Sequence, residues 1–287
     1  MEVIIVIRAF SNNDLNSLIT LLQQGYIIST EEATTEFVGE NRKIYIYEDD
    51  VIKGFALVTM DSESIKFCRI RIYVGKPFRR GGIGRQLYEE AFNYAKNELG
   101  AKTIAVGFTV GKDDPTPFFR NLNYEKWFIY HDMKYSGGPQ PDHGLNFINY
   151  EDNYFEKYIT LEGEAFYNLR RANDIKPYNC SNFSDNSRNY CLNNKEHIYL
   201  HLDDEDEIIS TIFVKNGVLD QIMVSKKYEG QGYGCKTTQF GINKALSEGS
   251  KNIELCALDW NKRAIYIYEA LGFKVVQTFH NYRRFLR

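Results

Sequence analysis

Two glycine-rich strings, Arg79-Arg80-Gly81-Gly82-Ile83-Gly84 and Glu229-Gly230-Gln231-Gly232-Tyr233-Gly234, stand 150 residues apart in a chain of 287. That spacing is close to half the chain, and the surroundings repeat with it. The same offset superposes Val74 on Val224 and Phe78 on Tyr228, at the ends of strand-like runs (Ile70 to Val74, Val218 to Val224). Downstream, Phe118 to Tyr124 matches Ile267 to Phe273 at an offset of 149. Two long units cannot form a solenoid, which stacks more and shorter repeats, so the pattern predicts one domain written twice. The richest Gly/Pro cluster, Ser136 to Asp142, is the expected join, giving domains 1–136 and 143–287.

Each half reads in the same order. A strand and a helix come first, at Ile4 to Arg8 and Leu15 to Leu22 in the first half; a long helix, Tyr154 to Ala172, opens the second. Strand-like runs lead to the glycines, with Asn216-Gly217 a strong hairpin signal. After the glycines comes a helical face, traced in the first half by Ile83, Leu87, Ala91, Tyr94 and Leu99; a strand and a short helix follow. Asn179 to Asn194, rich in Asn and Ser, carries no period and is expected to be a loop, as is Thr30 to Glu40. The fold class is therefore α/β, a mixed α+β sheet with flanking helices, present in tandem.

Composition removes several functions. Lys plus Arg total 35 against 38 Asp plus Glu, a net charge of −3, which is too little positive charge to hold nucleic acid. No run approaches the length of a membrane helix. The five Cys are scattered, with no C-x-x-C pair, as expected of reduced thiols in a cytoplasmic protein. His197 and His201 lack the glutamate of a zinc-binding helix, so no metal site is expected.

Glycine costs about 1 kcal/mol in regular structure, so glycines between strand and helix need a reason. Without Cβ atoms, successive N–H groups at a helix N-terminus converge on one anion, aided by the helix dipole. A phosphate or pyrophosphate is the natural guest; a ligand-free tight turn is the plainer alternative. Neither string is a P-loop, since Gly234-Cys235-Lys236-Thr237 puts a residue between Gly and Lys, and neither completes G-x-G-x-x-G, since Leu87 and Thr237 take the third glycine's place.

These residues resemble the GCN5-related N-acetyltransferases, whose acyl-coenzyme A loop reads R/Q-x-x-G-x-G/A. Arg79, Gly82 and Gly84 fit it fully, whereas the second copy has Glu229 before Gly232 and Gly234. The motif N-x-x-A-x-x-x-Y-x-x-x-G-F is matched at every position by Asn261, Ala264, Tyr268, Gly272 and Phe273. In the first half Phe119 replaces the Tyr, Asn123 the Gly, and Asp113-Asp114-Pro115 the region of Asn and Ala.

The resemblance implies a tandem of two such domains, each with a central, mostly antiparallel sheet, and acetyl-CoA as cosubstrate. It implies Tyr268 as general acid toward the coenzyme sulfur, with the second half catalytic and the first degenerate. Implied coenzyme contacts are Ile222, Val224, Glu229, Gly230, Gly232, Tyr233, Gly234 and Asn261, and in the first half Val74, Arg79, Arg80, Gly82, Ile83 and Gly84. The partner is an amine acceptor, which attacks the thioester directly within a ternary complex. The general base is unassigned; Asp220, Glu254 and Asp259 lie near the cleft in sequence. The chain is expected as monomer or homodimer. Two rival readings remain, a coenzyme-binding sensor or scaffold without turnover, and turnover in the first half.

Overall fold

The computed structural model describes residues 6–39, 41–62, 65–111, 114–142 and 144–286. Ile4, Ile5 and Asp113 of the readings above lie outside them. Two compact units emerge: unit 1 holds residues 1–127 and 279–287, unit 2 holds 128–278. A join at 136–142 was the expectation from the Gly/Pro cluster. The units divide instead between Trp127 and Phe128, and the end of the chain returns to unit 1.

Unit 1 runs β1 (Val6–Ala9), α1 (Leu15–Gln23), α2 (Thr30–Phe37), β2 (Arg42–Glu48), β3 (Ile52–Ser62), β4 (Phe67–Val74), α3 (Ile83–Asn93), β5 (Thr103–Thr109) and α4 (Thr116–Asn121). Strand β6 (Glu125–Tyr135) then carries the chain into unit 2, which continues with β7 (Ile148–Asn149), α5 (Phe155–Ala172), α6 (Asp185–Asn193), β8 (Ile198–Leu202), β9 (Ile208–Lys215), β10 (Val218–Val224), α7 (Tyr233–Ser247), β11 (Ile253–Leu258), α8 (Lys262–Ala270) and β12 (Lys274–Phe285).

In unit 1, β1 to β4 are consecutive antiparallel neighbours, β5 lies parallel to β4, and residues 279–285 of β12 pair antiparallel with β5. Unit 2 repeats the plan: β7 to β10 are antiparallel, β11 runs parallel to β10, and β6 pairs antiparallel with β11. The strand that follows the short helix in sequence thus serves the other unit in each case. Sequence period alone has no means of showing this, because the two strands are equivalent copies.

Each sheet buries both faces. In unit 1, Ile70, Ile104 and Val106 pack against Leu87 and Ala91 of α3, while Phe55, Leu57 and Tyr73 pack against Leu18, Leu22 and Phe37 of α1 and α2. In unit 2, Ile212, Leu219 and Leu255 meet Ile242 of α7 and Tyr268 of α8, and Ile208 and Met223 meet Phe155, Tyr158 and Ile159 of α5. The Asn216-Gly217 turn closes β9 to β10 with both residues at positive φ (51° and 81°), as a two-residue hairpin requires.

Two expected loops contain helices. Ser29 and Glu32 form a reciprocal capping box that starts α2, and the Ser184 hydroxyl accepts from Ser187 N at 3.3 Å to start α6. Both helices are short and mostly polar, and α6 buries only Cys191, so they leave little apolar period to read.

Candidate active site

The strands beside each glycine loop part. The β4–β5 ladder ends at Ile70 and Val106, and the β10–β11 ladder consists of Val218 with Glu254. In unit 2 the parting is sharpened by a bulge between Asp220 and Met223, where Gln221 adopts φ 49°. Strand β4 has no bulge at the matching place.

Both glycine loops share one backbone. Gly82 (φ 83°) caps α3 and Gly232 (φ 88°) caps α7, each in the left-handed region that disfavours a side chain. A Cβ on Gly82 would meet only Gln86, at 4.0 Å, and one on Gly232 would meet nothing within 4 Å. A Cβ on Gly84 or Gly234 would meet the last valine of its strand, Val74 at 3.7 Å or Val224 at 3.8 Å. Open space where a Cβ would stand, beside first-turn N–H groups without helical partners, gives a backbone that could take an anion.

The surroundings differ. Ahead of the first loop opens a cavity of ≈ 790 Å³, lined by Val74, Arg79, Arg80, Gly82 and Gly84. It runs between the parted ends of β4 and β5 to Phe118 and Phe119 on α4 and to Tyr26 beyond α1. Lys76 and Arg85 add positive charge to its wall, against the one carboxylate, Asp114, among the described lining residues. Ile83 does not face it; its side chain is buried under the sheet. Arg79 braces the strand end, donating from Nε to Val74 O at 2.9 Å with its guanidinium 5.4 Å from the Tyr73 ring centre.

In the second loop Glu229 is exposed, Gly230 lies at φ 83°, and Tyr233 packs edge-on to Tyr228 at 5.8 Å. Ile222 is half-buried against the α7 core. Asn261 starts α8, its Oδ1 accepting from Ala264 N at 3.2 Å. Tyr268, one helical turn on from Ala264, is buried against Phe273. Burial pushes the Tyr268 hydroxyl pKa up, with Asp220 and Cys256 adding to the shift, one from each of the two parted strands.

The carboxylates near this cleft separate clearly. Glu254 pairs with Lys134 at 2.6 Å; Asp259 pairs with Lys262 at 2.6 Å and His131 at 2.9 Å, which together hold its pKa below the usual carboxylate range. Asp220 is exposed and accepts from Gln221 N at 2.8 Å. Sequence reasoning missed Glu162 of α5, whose Oε1 accepts from Gln221 Nε2 at 3.2 Å. Only the bulge, invisible in the hydrophobic pattern, brings the two together.

The family model described as the acetyltransferase (GNAT) family matches residues 16–124 and again 163–273. The chain belongs to the GNAT family. The same fold over its whole length occurs in a GCN5-related N-acetyltransferase from Sphaerobacter thermophilus (TM-score 0.72, 17% identity, covering 99% of this chain and 96% of that one). A tandem GNAT protein from the clavulanic acid biosynthesis pathway gives TM-score 0.67 at 13% identity, covering 98% of each chain. Among curated proteins, the thialysine N-epsilon-acetyltransferase of Bos taurus is 43% identical over 58 residues, which is 20% of this chain and 34% of that protein. Its Mus musculus counterpart is 40% identical over 65 residues, 23% of this chain and 38% of that protein. The matched segment thus spans little more than a third of these relatives. The expected tandem GNAT fold is the fold observed.

Proposed function

We propose that this GNAT protein transfers an acetyl group from acetyl-CoA to a primary amine by direct attack in a ternary complex, with the chemistry in unit 2. The observation carrying this reading is the place of Tyr268, whose hydroxyl feels Asp220 on β10 and Cys256 on β11 where the strands part. The name of the curated relatives, which specifies acetylation of an ε-amine, points to the same chemistry.

Gly232, Gly234 and the first turn of α7 would hold the coenzyme phosphates, with Gly230 and Tyr233 shaping the loop and Glu229 turned to solvent. Ile222, Val224 and Asn261 would line the arm. Acetyl-CoA supplies the activated acyl thioester. The neutral amine forms the C–N bond, the C–S bond breaks, the amine's proton leaves to a water chain, and Tyr268 protonates the departing sulfur and regains its proton from solvent. Burial keeps the Tyr268 phenol protonated until that moment, and it equally disfavours a free thiolate, so the transfer relieves a buried charge.

A second reading has its own observation: the ≈ 790 Å³ cavity with Arg79, Arg80 and Lys76 on its wall favours coenzyme binding in unit 1. Calorimetric titration of acetyl-CoA into wild type, Gly82→Asp and Gly232→Asp tests both. Loss of binding and turnover with Gly232→Asp supports unit 2. Loss of both with Gly82→Asp alone moves the site to unit 1, and no binding to wild type sinks the acetyltransferase reading.

A further inference from the structure

The α5 side of the unit 2 sheet carries acidic groups where the matching places of unit 1 do not. Register pairs Cys256 with Asp132, at the place where unit 1 pairs Gly107 with Asn281. On the central strand, Asp220 stands opposite Phe213 of β9, where unit 1 sets Arg71 opposite Leu57, and the bulge adds Gln221. Glu162 reaches this set from α5 and is half-buried. Burial raises its carboxyl pKa, Asp220 adds to the rise, and Arg170 opposes it. Tyr158 and Tyr190 lie close enough to feel both Glu162 and Asp220.

Two buried atoms on this face point to a guest. The Gln221 amide gives its N–H to Glu162, which leaves its Oε1 buried without a donor among the described residues. Thr211, fully buried on β9 and opposite Met223 at the edge of the bulge, has an Oγ1 without a partner. An unpaired buried acceptor is costly, and a guest carrying N–H donors removes the cost. An ammonium group satisfies Gln221 Oε1 and Glu162 together, and aromatic rings favour a cation. A guest carboxylate would face Glu162, Asp220 and Asp132.

Resting on the unit 2 reading above, we infer that the acceptor is an alkylamine bearing a second positive charge and no carboxylate, and that Glu162 and Gln221 hold its ammonium. The probes are 1,4-diaminobutane and lysine, titrated calorimetrically into the coenzyme A-loaded protein and run as acceptors with acetyl-CoA. Wild type is expected to bind 1,4-diaminobutane at least ten-fold more tightly than lysine. The isosteric Glu162→Gln should weaken 1,4-diaminobutane at least ten-fold with acetyl-CoA affinity and melting temperature unchanged. Should that variant fold poorly, Asp220→Asn at the exposed end of the set should still weaken the diamine several-fold and lysine less. Lysine binding as well as the diamine, full affinity in both variants, or no amine binding beside normal acetyl-CoA binding each overturns this inference alone. Failure of acetyl-CoA to bind overturns it together with the reading on which it rests.

Discussion

Set side by side, the two halves agree in backbone at the glycine loops and at the close of the short helix, and disagree at the bulge and wherever a side chain would do chemistry. Gly82 and Gly232 share one left-handed conformation. So do Asn123 (φ 62°) and Gly272 (φ 100°), each followed by a backbone bond that closes the short helix, Tyr124 N to Phe119 O and Phe273 N to Tyr268 O. Against this, the repeat sets Phe119 at the place of Tyr268, Arg79 at that of Glu229 and Asn281 at that of Asp132. Steric rules on φ tolerate few residues, so they survive duplication; the groups in the cleft are free to diverge.

The comparison breaks first at the loops. Gly232→Asp adds Cβ strain and a negative charge at the phosphate position, and should weaken acetyl-CoA at unit 2 by about 100-fold or more; titration stoichiometry reports which half is lost. Tyr268→Phe should lower kcat by about 100-fold or more while acetyl-CoA affinity holds. Retained kcat would reduce Tyr268 to a packing residue, whereas absent turnover in wild type favours a coenzyme-binding scaffold.

Smaller effects sharpen it. Gly272→Ala should cost about 1–2 kcal/mol, from its φ of 100° and a Cβ 3.2 Å from the Tyr135 ring, while Asn123→Gly should change stability by about 0.5 kcal/mol or less. Chemical denaturation measures both. Arg79→Ala should cost about 1 kcal/mol by removing the bond to Val74 O, and Glu229→Ala, exposed, should be neutral within about 0.5 kcal/mol.

The entries to α1 and α5 give a pH test. Arg8 bonds Asp14 at 2.8 Å through both terminal nitrogens and holds its carboxyl far below the usual range, whereas the matching Tyr154 donates to Asp206 at 2.7 Å. A depressed carboxyl pKa stabilises above the unfolded value, near 4, and the contribution disappears as pH falls through the folded value. Asp14→Asn should therefore lower the melting temperature at pH 7, by an amount that shrinks steadily below about pH 4. A difference independent of pH would show that the ion pair is not the cause.

The duplication and the glycine loops were legible because each rests on a local rule, fixed spacing or a forbidden φ, whereas the Asn261–Tyr268–Phe273 motif was legible through its resemblance to the family. The α5 and α3 faces were legible from apolar period. Helices α2 and α6 were not, since capping by Ser29 and Ser184 rather than an apolar stripe sets them. The cleft itself was only half legible. Asp220 was in view, but Glu162 lies 59 residues from Gln221 in sequence and meets it only through a bulge.

By itself the sequence determined that one α/β domain is written twice and that each copy turns from strand to helix on glycines, because these features depend on residues close together in the chain. Only the tertiary structure decided which late strand completes which unit, that a wide cavity lies at the first loop, and that Glu162 meets Gln221 at the bulge. Those outcomes depend on strand pairing between distant segments, and two strands at equivalent places in the repeat leave that choice to packing.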